Sequence, residues 1–185
     1  MKALILAIAL VCLASAQSDL RNSFTFSGGY GRDINSSCCQ TDTAVSLAGT
    51  YGYRVFRNLQ VEAGVVTALN PTPEIRGATY DYKPDDRFIW VPFGLRGVLP
   101  FKRDRVELSA AAGGLYEKYS VSNPGPFGPE SRNGWGGYFA GGAAIAIDRG
   151  RHFWLGASPR WYLANPSQGT HDRWFVIAGD LSFRF

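Results

Sequence analysis

The chain has 185 residues, enough for one domain or for one domain plus a processed end. Aromatic residues make up 14% and charged residues only 18%, and the formal charge of +4 is spread along the chain rather than gathered in a patch, which argues against nucleic-acid binding. Beyond the first sixteen residues no window of about 18 residues is uniformly apolar, so the sequence offers no candidate membrane helix.

The first sixteen residues read as a processing segment. Lys2 supplies the charged start, Ala3 to Ala14 is an apolar run too short to span a bilayer, and Ala14-Ser15-Ala16 is a small-x-small cleavage site. The expected division is therefore a signal peptide over 1–16 and one mature domain over 17–185. Cys12 falls inside the discarded run, which leaves Cys38 and Cys39 in the exported chain. Two adjacent cysteines are not a disulfide framework. They read either as loop thiols without a role or as a vicinal disulfide in an oxidising compartment.

From Asn22 onward the sequence alternates with a period of two, the spacing that places successive side chains on opposite faces of a strand. Phe24, Phe26 and Tyr30 alternate with Ser23, Thr25, Ser27 and Gly29. After the loop-like stretch 33–42, Val45, Leu47, Tyr51, Tyr53 and Val55 alternate with Ser46, Ala48, Thr50, Gly52 and Arg54. A tight turn at Phe56-Arg57-Asn58 leads into Leu59, Val61, Ala63, Val65 and Leu69, opposed by Gln60, Glu62 and Gly64, which makes a hairpin. The segment 70–86 carries Pro71, Pro73 and Pro84 and reads as irregular. A fourth strand over 87–99 sets Ile89, Val91, Phe93 and Leu95 against Trp90, Pro92, Gly94 and Arg96, with a kink or bulge expected at Pro92 because proline cannot donate to the ladder. A fifth, from Arg105 to Tyr116, sets Val106, Leu108, Ala110 and Ala112 against Glu107, Ser109, Ala111 and Gly113. The segment 117–133, with its Asn123-Pro-Gly-Pro-Phe-Gly-Pro129 run, reads as loop. A sixth strand (134–147) is rich in Gly and Ala, and a seventh sets Phe153, Leu155, Ala157, Pro159, Trp161 and Leu163 against Trp154, Ser158, Arg160 and Tyr162. A polar loop over 164–172 leads to the eighth strand, at the end of the chain. There Phe175, Ile177, Gly179, Leu181, Phe183 and Phe185 alternate with Trp174, Val176, Ala178, Asp180, Ser182 and Arg184.

Eight strands with alternating long and short connections make an up-and-down meander whose long loops all lie at one end. The short turns hold Arg54, Arg57, Lys102, Arg103, Arg105, Arg149 and Arg151 against only Asp104 and Asp148. The mean hydropathy of −0.11 fits such a chain, because the two faces of each strand cancel. The alternating strand ending in Leu181-Ser-Phe183-Arg-Phe185, the Tyr51-Gly-Tyr53…Asn58-Leu-Gln-Val-Glu-Ala-Gly64 hairpin and the Trp90-Val-Pro-Phe-Gly-Leu95 strand resemble the small eight-stranded outer-membrane β-barrels of Gram-negative bacteria, the OmpA/OmpX-like group, over essentially the whole mature chain. The resemblance implies an all-β fold: an eight-stranded antiparallel up-and-down transmembrane barrel in the cell outer membrane, with short periplasmic turns and long outer loops. It also implies an assembly signal at Leu181, Phe183 and Phe185, read by the barrel-assembly machinery. No peptidoglycan-binding domain is expected after Phe185.

If the large apolar faces meet the lipid bilayer, the inward set includes Glu62, Arg96, Glu107, Arg160, Asp180 and Arg184. In a lumen only wide enough for side chains to fill, these charges must pair. Arg54 and Arg184 are the candidate partners of Asp180. Such a network reads as a structural plug, or alternatively as a gate whose pairs swap partners to open a water path. A lipid-modifying enzyme would need a serine and a histidine base within reach, and the two histidines, His152 beside a turn and His171 in the last loop near Ser167 and Asp172, do not form that pattern. No catalytic, metal or cofactor residues are assigned. A soluble lipocalin-like barrel would invert the faces, and Tyr51, Tyr53, Phe101, Tyr116, Phe153 and Trp161 instead resemble interfacial girdles. The expected function is a non-enzymatic barrel with a structural or surface-interaction role, or with minor, porin-like permeation. An extracellular ligand would meet loops 33–42, 70–86, 117–133 and 164–172.

Overall fold

The structure, a computed structural model, describes residues 20–34, 43–69, 75–76, 81–82, 85–123, 131–166 and 172–185. Among the described residues there are ten strands: β1 (Asn22–Asp33), β2 (Thr43–Phe56), β3 (Leu59–Leu69), β4 (Ile75–Arg76), β5 (Asp81–Tyr82), β6 (Asp85–Phe101), β7 (Val106–Asn123), β8 (Ser131–Ala146), β9 (Phe153–Pro166) and β10 (Asp172–Arg184). Eight of them close into one antiparallel barrel in the order β1-β10-β9-β8-β7-β6-β3-β2, while β4 and β5 form a small hairpin of their own. Closure pairs the first and last strands in unbroken register from Ser23↔Arg184 to Asp33↔Trp174. At the chain terminus the Asn22 and Phe185 backbones exchange two hydrogen bonds of 2.9 and 3.0 Å.

The alternation in the sequence becomes the two surfaces of the barrel. Phe26, Leu47, Val65, Leu95, Phe139, Leu155 and Ile177 are all more than half exposed on the outside, while Trp90, Trp154 and Trp174 are at most 1% exposed inside. A soluble protein does not leave a continuous apolar surface of this kind in water. It is the lipid-facing band of a transmembrane barrel. Where strands cross closely only glycine fits: Gly94 and Gly113 face each other in register, and a Cβ on either would run into the partner strand's backbone carbonyl.

The strands run longer than the sequence reading placed them. β7 continues to Asn123 and β8 begins at Ser131, so most of the expected loop 117–133 is barrel wall. Likewise Asp85 and Asp86 belong to β6, Ala164 to Pro166 belong to β9, and Asp172 opens β10. The segment 70–86, expected to be irregular, contains the β4–β5 hairpin. Pro92 carries no bulge. The register with β3 is the same on both sides of it, and pairing simply lapses between Ala63↔Phe93 and Val66↔Trp90. The missing donor is accommodated by omitting ladder bonds rather than by inserting a residue. The irregularities that do occur lie at Arg54/Phe56 and Asp85/Asp86, near strand ends. The signal-peptide segment, Cys38, Cys39, Ser167 and His171 lie outside the described residues.

Candidate functional site

The interior divides into three levels along the barrel. At the turn end Glu107, on β7, meets two arginines that reach it from strands across the lumen. Arg184 Nη1 and Nη2 donate to its two oxygens at 2.8 and 2.5 Å, and Arg54 Nη2 donates at 3.2 Å. Glu107 is 5% exposed, so the fork is nearly dry. The Arg184 guanidinium also stacks 3.8 Å over the Trp154 ring, whose Nε1 donates to the Arg151 carbonyl. This places a charge-assisted, bidentate contact at the end of the closing strand.

The middle level holds two further clusters. Arg96 Nε and Nη2 donate to Glu62 at 2.6 and 3.1 Å, and the Tyr138 hydroxyl donates to the same carboxylate at 2.7 Å from the far side of the barrel. Arg96 also donates to Ser109 Oγ at 2.9 Å. Arg160 donates to Asp180 at 2.6 Å and to the hydroxyls of Ser27 and Ser158. All six residues of the expected lumen set therefore face inward, but they form three clusters rather than one. The partner of Asp180 is Arg160, not Arg54 or Arg184, because both of those are engaged by Glu107 at the end of the barrel. Between these groups lies a cavity of about 70 Å³ lined by Thr25, Thr50, Gln60, Ser182 and the charged clusters. A second, of about 20 Å³, lies beneath Tyr138 and Tyr162. The first is lined mainly by polar groups, and both are large enough for water, which needs about 10–15 Å³.

The loop end is aromatic and acidic. Trp90 stacks on Tyr162 with ring centroids 4.9 Å apart and interplanar angle 6°, and Phe88, Tyr119 and Trp174 pack around it. Trp90 Nε1 donates to Glu117 at 2.7 Å, the Tyr119 hydroxyl donates to Asp86 at 3.1 Å, and Arg132 pairs with Asp172 at 3.0 Å. Glu117 stands beside Asp172, and one oxygen of each, Oε1 and Oδ2, has no donor. This level was missed from sequence because Glu117 was placed in a loop. Yet Glu117, Tyr119 and Val121 continue the inward parity of Glu107 and Ala111, the signal that would have found it.

His152, at the turn end, is exposed, and its Nδ1 lies 2.9 Å from the Arg184 carbonyl oxygen. In the same turn Asp148 accepts the backbone N–H groups of Phe153 and His152, which holds its carboxyl below the usual carboxylate range. Among the described residues no group of three or more His, Cys, Asp or Glu is arranged to hold a metal ion.

No protein-family model matches the chain, and no curated protein matches it in sequence. Solved structures do match. Neisserial surface protein A superimposes with a TM-score of 0.68 at 13% identity, over 89% of this chain and 97% of that one. OprG from Pseudomonas aeruginosa gives 0.58 at 14% identity, over 91% and 98%. Ail, the attachment invasion locus protein of Yersinia pestis, gives 0.55 at 14% identity, over 89% and 100%. At such low identity the shared property is the fold. With its lipid-facing exterior, closed eight-strand order and side-chain-filled lumen, this chain has the fold of the small eight-stranded outer-membrane β-barrels.

Proposed function

We propose that the protein is a non-enzymatic outer-membrane anchor that presents its outer loops for surface interaction. The observation that carries this reading is the filling of the lumen. The Arg54–Glu107–Arg184 fork closes the turn end, and the Trp90–Tyr162 stack with Phe88 and Trp174 closes the loop end. Among the described residues, the cavities between them are small, about 70 and about 20 Å³. A conducting pore needs a continuous water path. A barrel plugged in this way instead offers a rigid platform, and its chemistry lies in the segments that join the strands. Attachment is the role named for Ail, a barrel of the same fold.

On this reading loops 33–42, 70–86, 117–133 and 164–172 meet an extracellular ligand, less the parts of them that belong to the strands. Leu181, Phe183 and Phe185 form the mark read by the barrel-assembly machinery, and residues 1–16 are removed on export. The test joins two measurements. Purified barrel in planar bilayers is expected to give no steady conductance, and replacing the residues between β3 and β6 or between β7 and β8 with short Gly-Ser turns is expected to abolish surface binding while the barrel still assembles. Steady conductance in wild type, or unchanged binding in every loop variant, would refute the anchor reading.

The cavity between the two closures favours one second reading, a gate in which the arginines exchange carboxylates to connect that cavity to both ends. Glu107→Ala and Arg96→Ala would then each change channel opening. Conductance present in wild type and unaltered in both variants would remove these residues from the gate.

A further inference from the structure

Two carboxyl groups meet inside the loop end of the barrel without a donor between them. Glu117 on β7 stands beside Asp172 on β10, although β8 and β9 separate their strands in the wall, so the contact crosses the lumen. Glu117 is fully buried and Asp172 is 7% exposed. Each has one oxygen satisfied. Trp90 Nε1 donates to Glu117 Oε2 at 2.7 Å, and Arg132 Nη2 donates to Asp172 Oδ1 at 3.0 Å. The other two oxygens, Glu117 Oε1 and Asp172 Oδ2, are buried and accept nothing. Two carboxylates are acceptors only, and side by side in a dry lumen they repel. One proton held between them removes both faults, because a protonated carboxyl donates to its neighbour.

The neighbouring strands supply little to offset this acidity. Among the described residues, the other ionisable side chains that turn inward at this level are Asp86 on β6, Tyr119 on β7, Arg132 on β8, Tyr162 on β9 and, by the parity of its strand, Asp33 on β1. The β2 and β3 strands turn Ala44, Ser46, Val66 and Ala68 inward here. Arg132 is thus the inward cation among the carboxyls of Asp33, Asp86, Glu117 and Asp172. Its guanidinium is committed to Asp172 and lies 4.4 Å over the Tyr119 ring. Tyr119 donates its hydroxyl to Asp86 at 3.1 Å, and Tyr162 stacks on Trp90. Arg87, Lys118 and Arg173 occupy the outer face of the wall.

We propose that Glu117 and Asp172 share one proton at neutral pH and form a pH-sensitive latch that holds the loop end of the lumen shut. The latch ties β7 to β10 near the segments that follow Asn123 and precede Asp172, and through the Trp90 indole it holds the aromatic closure. When the pH rises and the pair releases its proton to water, two carboxylates face each other with one guanidinium beside them. Their repulsion parts β7 from β10 and loosens Trp90. In the unfolded chain both carboxyls are ionised at neutral pH, so the folded state binds the extra proton. Closure is therefore firmest in mild acid and weakens as the pH rises. The latch goes beyond the anchor role, because it sets how firmly the bases of the outer loops are held whatever those loops bind.

The test uses the mature chain refolded in detergent micelles, with heat-modifiable gel mobility to verify that each variant is folded. In infrared spectra taken in heavy water, wild type is expected to show the C=O stretch of a protonated carboxyl at neutral pH and to lose it as the pH is raised. Glu117→Gln and Asp172→Asn should each lack that band at neutral pH, and Asp86→Asn should keep it. In NMR spectra the Trp90 indole N–H signal, assigned through Trp90→Phe, should shift with pH in wild type in step with the loss of the band. In Glu117→Gln, whose amide cannot ionise, the same signal should stay in place. Absence of the band from wild type at neutral pH, its survival in both pair variants, its loss in Asp86→Asn, or an indole signal that titrates equally in Glu117→Gln would overturn the proposal.

Discussion

Replacing Glu107 by alanine tests how much of the barrel is held by a contact across its own lumen. The carboxylate is 5% exposed and is the partner of two arginines whose side chains are 11% and 13% exposed. Glu107→Ala would leave both guanidinium groups next to one another at the turn end, with no anion between them. Arg184 would keep its stacking on Trp154 and Arg54 would keep a small opening to water, so the loss should fall at the lower end of the usual range for breaking a buried pair, about 3 kcal/mol. That corresponds to roughly a hundredfold in the folded-to-unfolded ratio. The assay is urea or guanidinium unfolding in lipid vesicles, followed by tryptophan fluorescence and checked by heat-modifiable mobility. Arg57→Ala is the internal control. Its bridge to Asp104 spans 3.0 Å, but the two side chains are 54% and 38% exposed, and such pairs contribute at most about 1 kcal/mol. If Glu107→Ala costs no more than Arg57→Ala, the fork is solvated and the account of a dry, pinned closing strand is wrong.

Three further perturbations probe the other levels. Trp90→Ala removes the centre of the aromatic closure at the loop end and should cost about 3–5 kcal/mol; if the stack is what blocks that end, the folded variant should also admit water-soluble quenchers to Trp174, and unchanged quenching would count against the plug. Glu117→Gln keeps the acceptor for the Trp90 indole and brings a donor to a place where two carboxyl oxygens lack one, so stability should stay level or rise by up to about 1 kcal/mol; a loss of about 2 kcal/mol or more would mean that the carboxylate itself is needed there. Deleting Phe185 removes the two backbone bonds to Asn22 and the ring stacked 5.6 Å from Phe183, and should slow outer-membrane assembly in cells; a wild-type assembly rate would exclude it as the recognition mark.

The inside and outside of the barrel were legible residue by residue because the side-chain period of a strand is two, whatever its neighbours are. That is why Glu62, Arg96, Glu107, Arg160, Asp180 and Arg184 could be placed inward from sequence. Strand ends were less legible. Tyr116-Glu117-Lys118-Tyr119 keeps the alternation but looks polar, and a stretch rich in proline and glycine follows it. Polarity there reflects an outer end that rises past the hydrocarbon, not the end of the strand. Pro92 misled in another way: the missing donor was absorbed by a lapse in pairing that shifts no register, and nothing local distinguishes that from a bulge.

Sequence alone therefore determined which side of the wall each residue occupies, since that follows from chain chirality and the pleat. Tertiary structure decided which residues meet across the lumen. Asp180 could be matched by charge with Arg54, Arg184 or Arg160, all of them inward-facing. Closure of the sheet and the register between strands brought Arg160 to it and turned the other two toward Glu107.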